Sequence, residues 1–259
     1  MRLLAIETAT PMHSVAVVEE GQLLAELVYE TQGHRGGALL PTIDQALKKA
    51  GVAARHLHAV AVSVGPGSFT GLRVGLATAK GLALGAGARV VGVPTLEVLA
   101  ESSAMADGDD GSAATICSLL DAYRSEVYMA LFRRDSREHR LERMTPDAVL
   151  APSAVAPALA AVEGLVHLPV HLIGNGAARY REQLDAALGG RAVVSEAGLR
   201  AVPSARCVAR LAIRQFAGES KPEAEVDEAE VELIYLRRAE AEVNLEKGLL
   251  QSLLAKVAR

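Results

Sequence analysis

The stretch Gly65-Pro66-Gly67-Ser68-Phe69-Thr70-Gly71-Leu72-Arg73-Val74-Gly75 carries the most suggestive spacing in this 259-residue chain. An apolar run, Ala59–Val64, leads into it, and an Ala/Leu/Gly-rich stretch follows to about Leu84. A strand that runs into a glycine turn and then a helix presents free backbone N–H groups and the positive end of the helix dipole, which suits an anion. Gly65 and Gly67 shape the turn, and Ser68 or Thr70 can cap the helix. Two sharper chemistries fail here. A phosphate-binding P-loop needs Lys-Ser/Thr after its last glycine, and Leu72-Arg73 stands there. A nucleophile elbow needs Gly-x-Ser-x-Gly, and Gly67-Ser68-Phe69-Thr70-Gly71 has the wrong spacing. Ser68 is therefore read as a cap, not a nucleophile. Gly71, Gly75, Gly81 and Gly85 remove side chains from the following helix, so another helix could approach it closely.

Two acids end apolar runs just before turns: Glu7, followed by Thr8, and Asp121. Facing each other across a cleft, such carboxylates could hold a water or a metal–nucleotide, or act as an acid/base pair. A second anion-friendly turn, Gly174-Asn175-Gly176, follows the strand-like Val170–Ile173. The histidines form no metal site. His167 and His171 have a spacing that works on a helix, but Pro169 opposes one. On a strand, residues so spaced lie roughly 13 Å apart. No HExxH or CxxC occurs, and the two cysteines, Cys117 and Cys207, read as buried thiols.

The elements that must position these residues follow from periodicity. Leu3–Ile6, Val15–Val18 and Leu23–Val28 read as an antiparallel meander with turns at Thr10-Pro11 and Glu20-Gly21. A helix over Ala38–Ala50 repeats Leu39, Leu40, Ile43 and Leu47 and stops at Gly51. Then come a buried strand at Ala59–Val64, a helix from Phe69 to Leu84, a strand at Arg89–Val93 and a helix at Thr95–Met105. The polar break Ala106–Ala114 divides the chain. A second strand pair, Thr115–Leu120 and Val127–Phe132, flanks the turn 121–125, followed by helices at Ala154–Val162, Ala177–Leu188 and Ala205–Ala217. Glu219–Glu232 holds seven acids and one base, so it reads as a solvated linker. Glu240–Arg259 has the apolar spacing of an amphipathic helix. Each half opens with an apolar strand, an acid, a turn and a returning strand. That echo suggests two similar α/β lobes facing each other across a cleft: an N-terminal lobe over 1–106, a C-terminal lobe over 107–238, and a tail helix over 239–259.

Composition narrows the function classes. The formal charge is −4, with no Trp, five Tyr and three Phe. A stand-alone nucleic-acid reader carries basic excess and stacking aromatics, so that class is excluded. No apolar window is long enough to cross a membrane. The opening MRLLAIETATPMHS is interrupted by Glu7 and does not read as a signal peptide. With reduced cysteines, these features point to the cytoplasm.

Five segments together resemble the TsaB (YeaZ) family: LLAIETAT near the start, GPGSFTGLRVG at Gly65–Gly75, LLDAYRSEVY at Leu119–Tyr128, IGNGA at Ile173–Ala177 and IYLRR at Ile234–Arg238. The resemblance reaches to about Arg238, and GPGSFTGLRVG is its most specific part. It implies two duplicated lobes of the actin/Hsp70/sugar-kinase type. It implies a required non-catalytic subunit that works with the catalytic paralogue TsaD and the ATPase TsaE. Together they place threonylcarbamoyl, donated by threonylcarbamoyl-adenylate, on the adenosine next to the anticodon in tRNAs reading ANN codons. On this reading the chain has no cofactor of its own, ATP is used by the complex, and tRNA is met only through the complex. The cleft residues Glu7, Thr8, Gly65, Gly67, Ser68, Asp121, Gly174 and Gly176 would then form a degenerate nucleotide or anion site. In the catalytic paralogue a pair of metal-binding histidines falls where this chain has Thr95 and Leu99, which cannot serve as that pair.

The resemblance also places dimerisation, with TsaD or as a homodimer in the partner's absence, on two helices. These carry Leu39, Leu40, Ile43, Leu47, Gly71, Leu72, Gly75, Leu76 and Ala79. One departure is Ile234 before Tyr235, where the family often has Pro. A competing reading is a small nucleotide-dependent kinase or ATPase of the same fold, using Glu7 and Asp121 around a metal–nucleotide. A peptidase lacks both metal histidines and a nucleophile motif.

Overall fold

Apolar runs that alternate faces along a strand demand cover on both sides, and here they receive it. The computed structural model describes residues 1–31, 38–106, 114–135, 140–163, 165, 168–218 and 231–236. The first sheet has β1 (Arg2–Glu7), β2 (Met12–Glu19), β3 (Gln22–Glu30), β4 (Ala59–Ser63) and β5 (Arg89–Val93) in the order β3-β2-β1-β4-β5. The meander β1–β3 is antiparallel, and β4 and β5 add in parallel. Because successive side chains point to opposite faces, Leu4 and Ile6 join Val15, Val17, Val60 and Val62 on one face. Leu3 and Ala5 join Ala16, Val18, Ala59 and Ala61 on the other.

Helices α1 (Leu39–Ala50) and α2 (Phe69–Ala86) cover the first of these faces. In α1, Leu39, Ile43, Ala46 and Leu47 recur at helical spacing and are buried. Gly51 ends it in the left-handed conformation, its N–H bonding back to Leu47 and Lys48. The opposite face is covered from far along the chain, by α8 (Ala205–Gly218), through Ala205, Val208, Ala209 and Ala212.

The second sheet repeats the plan. Strands β6 (Ala114–Asp121), β7 (Val127–Arg134) and β8 (Leu141–Arg143) are antiparallel, while β10 (Val170–Ile173) and β11 (Ala192–Val193) add in parallel. The order is β11-β10-β6-β7-β8, with β9 (Ala148–Leu150) pairing β7. One face packs on α4 (Val155–Ala160), α5 (Asn175–Arg179) and α6 (Arg181–Leu188) through Leu159, Ala177 and Leu184. The other packs on α3 (Thr95–Ala106) through Leu96, Leu99 and Ala100. So α3, from the first half, covers the second sheet, and α8, from the second half, covers the first. Buried Glu101 of α3 holds both Arg210 (3.0 Å) and Arg214 (3.1 Å) of α8.

Several expectations change. The helix expected over Ala177–Leu188 is two pieces, broken at Tyr180, whose ring is buried at the junction. The short β8, β9, β11 and α7 (Glu196–Arg200) were not legible as periodic runs. Val231, expected in a solvated linker, packs against the first core, and the Ile234 N–H donates to the Val64 carbonyl at 2.7 Å. That places Val231, Leu233 and Ile234 on the first lobe, while Leu236 packs on the core between α3 and the second sheet. The rest of the acidic run (219–230), the centre of the break at 107–113, Arg237, Arg238, His167 and the tail over 239–259 lie outside the described residues. No described helix is long and apolar enough to cross a membrane.

Candidate functional site

The turn after β1, the start of α2 and the turn after β6 meet at one place. They enclose a cavity of about 220 Å³ whose lining includes Ala9, Thr10 and His13 from one lobe and Asp121, Tyr123 and Asn175 from the other. Gly67 and Ser68 line it as well.

Ser68 caps α2 as expected: its Oγ accepts from the Gly71 N–H at 3.2 Å. Its own N–H donates to the Ala9 carbonyl at 2.7 Å, so the cap is anchored to the turn after β1. Gly67 is needed for this approach, because a Cβ there would lie 2.5 Å from the Ala9 carbonyl oxygen. Gly71 and Gly75 have the same purpose. A Cβ at either would overlap Thr8, at its carbonyl oxygen and its Oγ1 respectively. These glycines therefore seat α2 on the chain's own β1 turn and not on another helix. Gly81 and Gly85 have open space around them.

Asp121 is held in place from three sides. Its Oδ1 accepts from the Tyr123 N–H at 3.0 Å and lies 3.4 Å from the Tyr180 hydroxyl, and Arg179 lies 3.5 Å from Oδ2. The Asp121 N–H in turn donates to Asn175 Oδ1 at 3.0 Å. The turn beyond it keeps Tyr123, Arg124 and Ser125 all at positive φ, a costly conformation for residues with a Cβ. Glu126 closes that turn through backbone bonds with Ala122 and Tyr123.

Glu7 does not face Asp121. It is wholly buried behind the turn and is not among the cavity's lining residues. Its Oε1 accepts from the Ala9 N–H at 2.6 Å, and its Oε2 accepts from the Ser63 hydroxyl. Burial without a cation pushes its carboxyl up to about 7, against the lowering effect of Ser63 and Ala9. The paired-carboxylate reading fails for this reason: one acid is in the cleft and the other is part of the scaffold beneath it. Thr8 is buried too, with an unpartnered Oγ1 against α2. Gly65, at φ 113°, faces Ile234, where a Cβ would lie 2.6 Å from the Ile234 carbonyl oxygen. Gly174 and Gly176 lie against the Leu119–Leu120 backbone. Of the expected cleft residues, the structure brings Gly67, Ser68 and Asp121 to the cavity. Thr10, His13 and Asn175 were missed. Thr10 and His13 stood in quoted segments and Asn175 in the anion-friendly turn, but only the folded turns bring the three together. The His13 imidazole is pushed below its ordinary value by burial and lies 3.3 Å from the Tyr29 hydroxyl.

Among the described residues the lining includes Asp121 and no lysine or arginine, and Arg179 stands beside the cavity, paired with Asp121. Among the described residues, no group of three His, Cys, Asp or Glu side chains is arranged to hold a metal.

The expected interface residues need a correction. Leu39, Ile43, Leu47, Leu72 and Ala79, with Gly71 and Gly75, are buried inside the first lobe, and Leu76 packs partly on the same core. They hold α1 and α2 to the sheet and cannot also face a partner. Leu40, 60% exposed, is the member that points outward, and Leu84, 80% exposed, does so further along α2.

Residues 30–245 match the family described as TsaD, tRNA N6-adenosine threonylcarbamoyltransferase. The chain is 37% identical to the tRNA threonylcarbamoyladenosine biosynthesis protein TsaB of Escherichia coli over 60% of its length, a stretch that spans 64% of that protein. It is 27% identical to TsaB of Bacillus subtilis over 93% of this chain and 96% of that protein. The solved YeaZ of Pseudomonas aeruginosa superposes with a TM-score of 0.74 at 28% identity, over 91% of this chain and 99% of that one. The two repeated sheets are the duplicated lobes of the actin/Hsp70/sugar-kinase fold. With the cap-and-glycine geometry of α2 and the full-length likeness to YeaZ, the chain belongs to the TsaB (YeaZ) family, within the wider TsaD group whose pattern it matches.

Proposed function

We propose that this chain is a non-catalytic subunit in the biosynthesis of threonylcarbamoyladenosine in tRNA. It works beside a TsaD-type catalytic paralogue and a TsaE-type ATPase in the cytoplasm. The observation that carries this reading is the make-up of the two positions matching the paralogue's metal histidines. The Thr95 Oγ1 accepts from the Gly65 N–H at 3.2 Å, and Leu99 is fully buried in the core against the second sheet. Both side chains are committed to structure. On this reading ATP is used by the complex, and this chain needs no cofactor of its own. The tRNA is engaged through the complex.

The test is reconstitution. Unmodified tRNA is incubated with TsaD, TsaE, ATP and the threonylcarbamoyl-adenylate donor system, with and without this chain, and modified nucleoside is measured by mass spectrometry. Modification is expected only when the chain is present, and none from the chain alone. Equal modification without it would sink the proposal, and saturable ATP turnover by the isolated chain would favour a kinase-like role.

The outward side of α1 and α2 is the proposed docking face, for TsaD or, in its absence, for a second copy. Leu40→Glu combined with Leu84→Glu is expected to halve the mass seen by light scattering, or to abolish co-elution with TsaD. Its unfolding free energy should stay within about 0.5 kcal/mol of the parent, since both sites are exposed. Unchanged association would move the interface elsewhere.

A further inference from the structure

Glu7 is a fully buried acid whose hydrogen-bond donors among the described residues, the Ala9 N–H and the Ser63 hydroxyl, are neutral. It stands where three things are fixed at once. Through Ala9 it shapes the turn after β1, and through Ser63 it ties that turn to β4. The same turn carries the Ala9 carbonyl that accepts from Ser68 and the Thr8 backbone on which Gly71 rests. Ala9 and Thr10 then form part of the cleft wall.

The helix covering Glu7's face of the first sheet, α8, begins with the Ala205 N–H donating to Ser14 Oγ at 2.8 Å, and its basic groups pair elsewhere: Arg206 with Glu26, and Arg210 and Arg214 with Glu101. Across β2 the register partner is Ser14, and β4 contributes Ser63. From α2 the neighbours of the turn are glycines, and α3 begins with the buried hydroxyl of Thr95. No charged side chain from β2, β4, α2 or α3 acts on the carboxyl. An isolated carboxylate in such a place is strongly disfavoured, whereas the neutral acid keeps both contacts: one oxygen still accepts from Ala9, and the O–H can turn to Ser63.

We propose that Glu7 is a proton-controlled latch on the cleft wall: uncharged, it holds the 8–10 turn closed against β4 and α2, and on ionising it loosens that turn. The direction follows from linkage. The closed turn raises the carboxyl to about 7, and an opened turn returns it toward 4.5. Closure is thus fully supported below the lower value, weakens through the interval between the two, and reaches a constant, looser state above the upper one. The latch depends only on this chain's own fold, not on the proposed role in tRNA modification.

Hydrogen exchange on the full chain tests it. After correction for intrinsic rates, opening at the Ala9 and Ser68 amides is expected to rise by about tenfold or more between pH 5.5 and pH 8. In Glu7→Gln, which keeps an acceptor for Ala9 and cannot ionise, the same amides should show no such rise. A flat profile in the parent, or an equal rise in the variant, would overturn the latch. Should the variant not fold, carbon-13 NMR of the Glu7 carboxyl in the parent decides. A midpoint near neutrality supports the latch, and one in the ordinary carboxylate range removes it.

Discussion

Gly71→Ala should destabilise this chain by about 2–3 kcal/mol, although the same change in a helix interior ordinarily stabilises by about 0.5–1 kcal/mol. The reversal has one cause. A methyl group at Gly71 would overlap the Thr8 carbonyl oxygen, which is backbone and cannot rotate away. Either α2 lifts from the β1 turn, with loss of the Ser68 cap and its bond to Ala9, or the turn itself shifts. Gly81→Ala is the internal control. It lies in the same helix with open space around it, so it should follow the ordinary rule and stabilise. Urea unfolding of both variants separates the two effects. If Gly71→Ala also stabilised, the close seating of α2 on the turn would be wrong, and with it the lining of the cleft.

Phe132→Ala should cost about 3–5 kcal/mol, lowering the melting temperature by roughly 10 °C for a chain of this size. Phe132 is fully buried in the layer where α3 meets the second sheet, among Leu96, Leu99, Leu120 and Tyr128. The Arg143 guanidinium stacks 4.8 Å from its ring centroid, so the truncation also strips cover from a cation. Because α3 is tied onward to α8 through Glu101, the loss should be felt as one cooperative transition and not as the melting of the second sheet alone. Calorimetry would show this directly. Phe132→Leu, which keeps most of the volume, should cost far less. Equal losses for Ala and Leu would mean that ring stacking, not cavity formation, dominates there.

Much of the plan was legible from the chain alone. Alternating apolar runs bounded by glycine and proline located β1, β2, β4, β5, β6, β7 and β10 to within a few residues. Helical periodicity and a terminal glycine marked α1, and Ser68 was recognisable as the cap of α2. These are local properties, and the residues that decide them are neighbours in sequence. The echo between halves was also local in origin, and the two sheets share one strand order. Short elements such as β11 and α7 were invisible, since a few residues cannot show a period.

Other features were decided only by long-range packing. Apolar spacing in α1 and α2 shows that a face is buried but not what buries it. Leu39, Ile43 and Ala79 satisfied the pattern equally well as interface or as core, and the first sheet claims them as core. Glu7 and Asp121 looked equivalent as acids at strand ends. The fold buries one beneath a turn and leaves the other beside the cleft, because a carboxylate's environment comes from residues far away in sequence. The exchange of helices is of the same kind. The amphipathic face of α8 specified burial, and the choice of the first sheet came from its fit to Leu3, Ala16 and Ala61, far earlier in the chain. Sequence by itself determined the longer strands and helices, the turns that bound them and the family of this chain, since hydrophobic periodicity and glycine conformations act over a few residues. Tertiary structure alone decided which lobe each helix covers, which glycines are obligatory and which acid the cleft can use, since those depend on surfaces that exist only once distant segments have met.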